Sequence, residues 1–260
     1  MASSNISSWI CRATANAVRL ASLSMPNESL DPNYALGYYH DPSRTSRATA
    51  LSTTVTVDIG APGTVLAAAV INTNANFLRV RNQYGLSQVI TIPSWDAENR
   101  PVFGWADVSG SPVRTAQIWY FDMSKVTTFN MLEFGQLWLV TAWDDVELLY
   151  GLERGHDRPG NIVSYTKLGH KHVQRGGIKT QQYSGIIKNR LALPQWETIE
   201  AEMAGIGYSS LLLPYHNQNR VVVVDIVDVK KFRHTHEEGD VMTYQLQLEE
   251  LATGDVPRLA

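Results

Sequence analysis

With one cysteine, Cys11, the 260-residue chain can form no internal disulfide and can build no zinc site on thiolates. Positive charge is not in excess either. The 22 Lys and Arg against 25 Asp and Glu leave a formal net charge of −3, without the basic surplus that contact with phosphate backbones draws on. Nucleic acid is excluded as a main partner. Long apolar runs are missing too: Val65 to Ile71 and Val221 to Val229 are the most apolar stretches, well short of the roughly 20 residues that a membrane-spanning helix needs. No membrane span is expected. The opening MASSNISSWI carries no basic n-region and no continuous apolar h-region, so it does not read as a secretory signal, and synthesis in the cytoplasm is the expectation. Against these absences, 44% of the residues are hydrophobic and 9% aromatic, enough in a chain of this length to bury a core without covalent staples.

Strand patterning dominates. In Thr53 to Ile59, Val55, Val57 and Ile59 alternate with Thr54, Thr56 and Asp58, the period-2 pattern of a half-buried strand. Gly60-Ala61-Pro62-Gly63 then reads as the turn that ends it. Val65 to Ile71 is a continuous apolar run between that turn and the Asn-rich Asn72 to Asn76, which suits a strand buried on both faces. Phe77 to Arg81, Ser87 to Ile92 and Thr115 to Asp122 are further strands, while Pro93 to Pro112 reads as one long loop. The fold class expected is mainly β: an N-terminal jelly-roll β-sandwich, then a second β-rich domain with one short helix.

The division expected is 1–50 as an irregular N-terminal arm leading into the first domain, 51–130 as the sandwich, and 131–260 as the second domain, with the join at about Met123 to Gln136. A helix is expected near 194–204. Pro194 takes its first position, Glu197, Glu200 and Glu202 load its N-terminal half, and Trp196, Ile199 and Met203 form one stripe. Ser209 to Leu213 and Arg220 to Val229 read as a hairpin. Met242, Tyr244, Leu246 and Leu248 alternate with polar residues, giving a last strand that is either inside a sheet or an edge open to another subunit.

Catalytic signatures are absent. Neither GxxxxGK[ST] nor GxGxxG occurs, and GxSxG is missing, so no phosphate cradle and no nucleophile elbow are expected. No catalytic residue and no cofactor are assigned. The pairs His170/His172 and His234/His236 have the i, i+2 spacing that puts both imidazoles on one strand face, a ligand geometry in principle. No third ligand is specified, so exposed polar faces are the plainer reading and no metal is assigned. Asp144-Asp145, Glu237-Glu238 and Glu249-Glu250 are adjacent carboxylates, which acid/base chemistry across a cleft does not use. Trp95 and Trp105 lie in the long loop and are the candidate glycan contacts, since sugar platforms are built from exposed aromatics.

The run Val55-Thr56-Val57-Asp58-Ile59-Gly60, the buried stretch Gly63 to Ile71, Leu78-Arg79-Val80-Arg81 and Arg114 to Phe121 together resemble the discoidin-like, or galactose-binding-like, jelly roll. Followed by Phe134-Gly135-Gln136-Leu137-Trp138, an Arg175-Gly176-Gly177 turn and a β-rich tail, the arrangement is similar to minor tail proteins of the tail tip or baseplate of long-tailed bacteriophages. That resemblance implies a structural, non-enzymatic virion subunit, made in the host cytoplasm. Its partners would be copies of itself in a ring or collar and other tail and baseplate proteins. Residues 1–50, the Pro93 to Pro112 loop and the Val241 to Leu251 strand would then make the contacts. The alternative is a carbohydrate-binding module contacting host surface glycans; the third reading is a cell-wall or capsule hydrolase.

Overall fold

A computed structural model describes residues 7–36, 45–91, 103–126, 131–148, 156–157, 162–165, 171–174, 180–189, 210–213, 221–236 and 239–250. The first strands in chain order are β1 (Ser7–Cys11), β2 (Ser22–Ser24), β3 (Ser46–Ala48), β4 (Ser52–Thr64), β5 (Ala67–Ile71) and β6 (Phe77–Asn82). Then come β7 (Ser87–Thr91), β8 (Phe103–Asp107), β9 (Thr115–Ser124), β10 (Leu132–Phe134) and β11 (Leu137–Val140). The remainder are β12 (Asp144–Leu148), β13 (His156–Asp157), β14 (Ile162–Tyr165), β15 (Lys171–Gln174), β16 (Thr180–Asn189), β17 (Ser210–Leu213), β18 (Val222–His236) and β19 (Gly239–Glu250). Among the described residues the helical elements are short 3-10 turns at Ala13–Ala15, Ala17–Leu20 and Pro32–Tyr34. The helix expected near 194–204 lies outside the described residues.

A mainly β protein containing a β-sandwich results. One sheet has the order β2-β4-β9-β6-β7 and the other β11-β5-β8, with β10 and β3 as a separate pair. Alternation sets the facing: Val55 and Val57 of β4, Leu78 and Val80 of β6, and Trp119, Phe121 and Met123 of β9 point inward against Ala68, Val70, Leu137 and Leu139. The opposite residues of β4, β6 and β9 form the outer face.

The second unit is a ring. β12-β1-β17-β18-β19-β16 run antiparallel in that order, and β12 pairs again with β16, so six strands close on themselves and the sheet is left without two open sides. Ser8, Ile10, Val146, Leu212, Val224 and Leu248 are buried. Their neighbours along the strands, Cys11, Leu211, Leu213, Val221 and Val223, pack the other way, against Ala67, Ala69, Ile71, Trp105, Trp138 and Val140 of the three-stranded sheet.

This second core explains the composition of β5. All five of its residues are buried: Ala68 and Val70 face the sandwich interior, while Ala67, Ala69 and Ile71 face the barrel. Alanine on both sides lets two layers approach closely. The continuous apolar run read as a doubly buried strand is one. Trp138, 2% exposed, belongs to this core, and burying an indole of this kind contributes on the order of 4 kcal/mol of transfer free energy. Trp9 and Trp143 stack at its margin, ring centroids 4.5 Å apart.

Four expectations are corrected. Gly60 to Gly63 does not end its strand: pairing of β4 with β9 breaks after Asp58↔Ile118 and resumes at Gly63↔Ala116. The extra residues make a bulge, with Gly60 at φ +80°, where only glycine is free of Cβ strain. Residues 93–112 are not one loop, because β8 lies among them and pairs with β5 throughout. Residues 7–36 and 45–50 are not a free arm. β1 is a barrel strand between β12 and β17, β2 extends the five-stranded sheet, and Asn16 ties the intervening turn to β11 by donating to Leu137 O and accepting from Leu139 N. Lastly, β11 pairs with β5, so the sandwich runs on to Val140; β19, read as either inside a sheet or an open edge, is inside one, with β18 and β16 as its partners.

Candidate functional site

Among the described residues the sandwich has one face sealed and one free. Its three-stranded sheet is covered by the barrel, so the surfaces left for a ligand are the outer face of the five-stranded sheet and the loops at the sandwich ends.

On the outer face an ionic cluster spans three strands. Asp122 of β9 lies directly opposite Arg79 of β6 and diagonal to Arg81. Arg79 Nε donates to its Oδ2 at 2.8 Å, Arg81 Nη2 to Oδ1 at 2.9 Å, and Thr54 Oγ1 to Oδ1 at 2.8 Å. The Arg81 guanidinium also lies over the Tyr120 ring, 4.8 Å from its centroid. Burial pushes the Asp122 carboxyl up, but the hydrogen bonds from Arg81, Thr54 and Arg79 outweigh it and hold its pKa down, at about 2. The carboxylate is saturated, so this cluster is a cross-strand fastener, not a reactive group.

A second polar group lies at the end of the sandwich where Asn72 to Asn74 turn. Glu133 is 1% exposed and accepts from Arg47 Nε at 2.7 Å and Thr45 Oγ1 at 3.2 Å. Asn74 Oδ1 accepts from Glu133 N, and Thr73 Oγ1 donates to Glu133 O. Arg47 in turn lies 3.4 Å from the Tyr34 ring centroid. These groups satisfy one another and hold a loop in place.

At the opposite end an open cleft of about 460 Å³ is lined by Thr64, Ser109, Gly110, Ser111, Pro112, Arg114 and Thr115. Its floor is the β8–β9 connection, and that connection is shaped by short-range capping: Asp107 Oδ1 accepts from Ser109 N, Ser111 N donates to Val108 O, and Ser111 Oγ accepts from Val113 N. Val108, buried at 4%, pins the loop to the core. Arg114 Nη1 donates to Ser109 O, closing the loop across its mouth. The Thr64 and Thr115 hydroxyls are 2.8 Å apart on the adjoining strand ends. Beside the cleft is the β6–β7 turn. Buried Asn82 accepts from Tyr84 N and Leu86 N and donates to Val113 O at 2.6 Å, which fastens the turn to the loop. Gly85 supplies the positive φ that the turn requires, and Tyr84 is left 58% exposed.

The residues singled out from sequence fall elsewhere. Trp105 is on β8, 7% exposed in the seam with the barrel, and among the described residues its indole N–H has no hydrogen-bond partner. It therefore is not presented to a glycan, and its placement in a loop is corrected. Trp95 lies outside the described residues. His170 does too; His172 is on β15, opposite Ser164 of β14, whereas His234 and His236 are opposite Val241 and Gly239 at the tip of the β18–β19 hairpin. The backbone places them in separate sheets. Among the described residues no three His, Cys, Asp or Glu side chains are grouped to hold a metal ion, and no helix is long and apolar enough to cross a membrane. Cys11 is buried in the seam, where desolvation, with Asp144 adding to it, pushes its thiol pKa up, the reverse of an activated nucleophile.

The cleft was missed because its lining consists of ordinary turn residues. The available signal was the sequence Asp107-Val108-Ser109-Gly110-Ser111-Pro112, a dense turn cluster directly before a strand.

No protein-family profile and no curated protein matches the chain. Solved structures with a similar arrangement include CpGH89CBM32-6 from Clostridium perfringens, 13% identical, covering 49% of this chain and 99% of that one with a TM-score of 0.34. Chitosan-binding module 1 of a chitosanase/glucanase from Paenibacillus sp. IK-5 is 12% identical and covers 47% and 96%, TM-score 0.34. A fragment of a putative chitobiase from Bacteroides thetaiotaomicron is 13% identical and covers 45% and 86%, TM-score 0.33. The β-sandwich stands on its own strand pairings.

Proposed function

We propose that the chain is a binding protein whose sandwich takes a carbohydrate in the end cleft, with the barrel as its carrier. One observation carries this reading: an open cleft lined by four hydroxyl-bearing residues, Thr64, Ser109, Ser111 and Thr115, and by Arg114 lies next to a turn that exposes Tyr84. Hydroxyls and N–H donors match the hydroxyl ring of a sugar, and an exposed aromatic covers its apolar face. A glycan array probed with the full chain and with Tyr84→Ala tests it. Signal on a defined set of saccharides, reduced at least several-fold in the variant, is expected; a blank array for the unaltered chain would remove the reading.

A structural role in a bacteriophage tail tip or baseplate is the second reading, favoured by the β18–β19 hairpin. β18 pairs with β17 only over Val222 to Val224, while its pairing with β19 continues to His236. Among the described residues the outer edge of β18 beyond Val224 pairs with no other strand, and such an edge suits a neighbouring subunit. Light scattering coupled to size exclusion discriminates: a discrete ring-sized oligomer supports assembly, and a monomer at high concentration counts against self-assembly.

A further inference from the structure

Resting on the carbohydrate reading of the cleft, we infer that its ligand is an acidic saccharide, one bearing a carboxylate that Arg114 receives.

The other arginines with a defined ionic partner are already matched. Arg12 pairs with Asp144, Arg47 with Glu133, and Arg79 and Arg81 with Asp122. Arg114 differs. Among the described residues it makes no ion pair, and its hydrogen bond goes to a neutral acceptor, the Ser109 carbonyl. The one carboxylate in the same loop, Asp107, is exposed and turned to Ser109 N. A guanidinium has five N–H donors in a planar fork, and one bond leaves four.

The position of this cation decides what it can receive. Arg114 is half-buried on the cleft wall, with Nη1 turned to the Ser109 carbonyl, a contact that favours one placement of the guanidinium before any ligand arrives. A pre-set guanidinium matches a carboxylate by two parallel N–H···O bonds, and such charge-assisted bonds are roughly twice as strong as neutral ones. The lining groups named around it are hydroxyls, a glycine and a proline, none of which repels an anion. Thr64 and Thr115 share one hydrogen between their two oxygens. That leaves one hydroxyl hydrogen to donate and lone pairs to accept from ring hydroxyls. The cleft therefore offers one cationic fork flanked by neutral polar groups, which is the complement of a uronic-acid unit rather than of a neutral hexose.

Calorimetric titration of the full chain with trigalacturonate, its fully methyl-esterified form and neutral galactotriose tests this. Trigalacturonate is expected to bind at least tenfold more tightly than either uncharged ligand, with affinity falling as salt rises from 50 to 500 mM. Arg114→Gln should remove that preference, bringing trigalacturonate down to the affinity that the same variant shows for galactotriose, and Arg114→Lys should restore only part of it, since a point charge lacks the fork. Equal affinity for the acid and its ester would overturn the inference and leave the carbohydrate reading standing. A preference for sulfated over carboxylated oligosaccharides would overturn the carboxylate assignment. Absence of binding to every saccharide, together with a blank glycan array, would remove both.

Discussion

Arg81 holds Asp122 at two points across the diagonal of β6 and β9, Nε to Oδ2 at 2.5 Å and Nη2 to Oδ1 at 2.9 Å, while Arg79 reaches the same Oδ2 from directly opposite. Two cations thus share one carboxylate on the outer face, and the strands that carry these residues, β6 and β9, are neighbours inside the five-stranded sheet.

That arrangement has a pH signature. The Asp122 carboxyl is held down at about 2, against about 3.9 for an unfolded aspartate. A depressed folded pKa gives stability that is complete above the unfolded value and is lost as pH falls through the folded one. Urea midpoints should fall between about pH 4 and pH 2, and Asp122→Asn should flatten that part of the profile. At neutral pH the same variant is expected to cost about 1–2 kcal/mol, because the arginines are 35–40% exposed and water screens the pair.

The seam between sandwich and barrel makes a second prediction. Ala69 is completely buried beside Trp138, so Ala69→Leu has no room and should cost about 1–3 kcal/mol by overpacking. Trp138→Ala should cost about 3–5 kcal/mol. Thermal unfolding followed by circular dichroism reads both. A fragment confined to residues 12–141 would expose Trp105, Trp138 and Val140 together and is expected to aggregate, visible by light scattering.

Asn82 accepts two hydrogen bonds within the exposed turn, from Tyr84 N and Leu86 N, and links that turn to the cleft loop by a third, to Val113 O. Asn82→Ala leaves buried partners unmatched and is expected to cost about 1–3 kcal/mol. Because the loss falls between Tyr84 and Val113, amide exchange should accelerate in residues 82–87 and 108–114 ahead of the β4–β9 core, a pattern that hydrogen-exchange mass spectrometry resolves.

Cys11 makes a chemical reporter of the seam. Burial and the neighbouring Asp144 push its thiol pKa up, so labelling by an aromatic disulfide reagent at pH 8 should be slow in the folded chain and rapid in 6 M urea. Trp138→Ala should speed it in the folded state, since both residues belong to the same core. Equal labelling rates in the folded and unfolded chain would contradict the burial.

Much of the sandwich was legible. β4, β6 and β9 announce themselves by alternation, and β5 by an apolar run with no polar face; both patterns report how many sides of a strand are covered. β8 was hidden because Phe103-Gly104-Trp105-Ala106-Asp107 has neither alternation nor a β-branched residue, and its strand form comes from pairing with β5. Trp105 was misjudged for the same reason, since local turn residues around it spoke for a loop. The cleft escaped notice because Thr64 and Thr115 are 51 positions apart, brought together only by the register of β4 on β9.

Local patterning settled the β character, the facing of the central strands and the double burial of β5, because side-chain alternation and solvent transfer act residue by residue. Partner choice is a different quantity. That β1 closes a barrel with β12 and β17, across more than a hundred residues, that the barrel then seals one sheet of the sandwich, and that Arg114 meets no carboxylate among the described residues at its cleft all depend on which surfaces meet. Periodicity carries no record of that, since a strand edge or an apolar face is equally satisfied by any partner of the right shape.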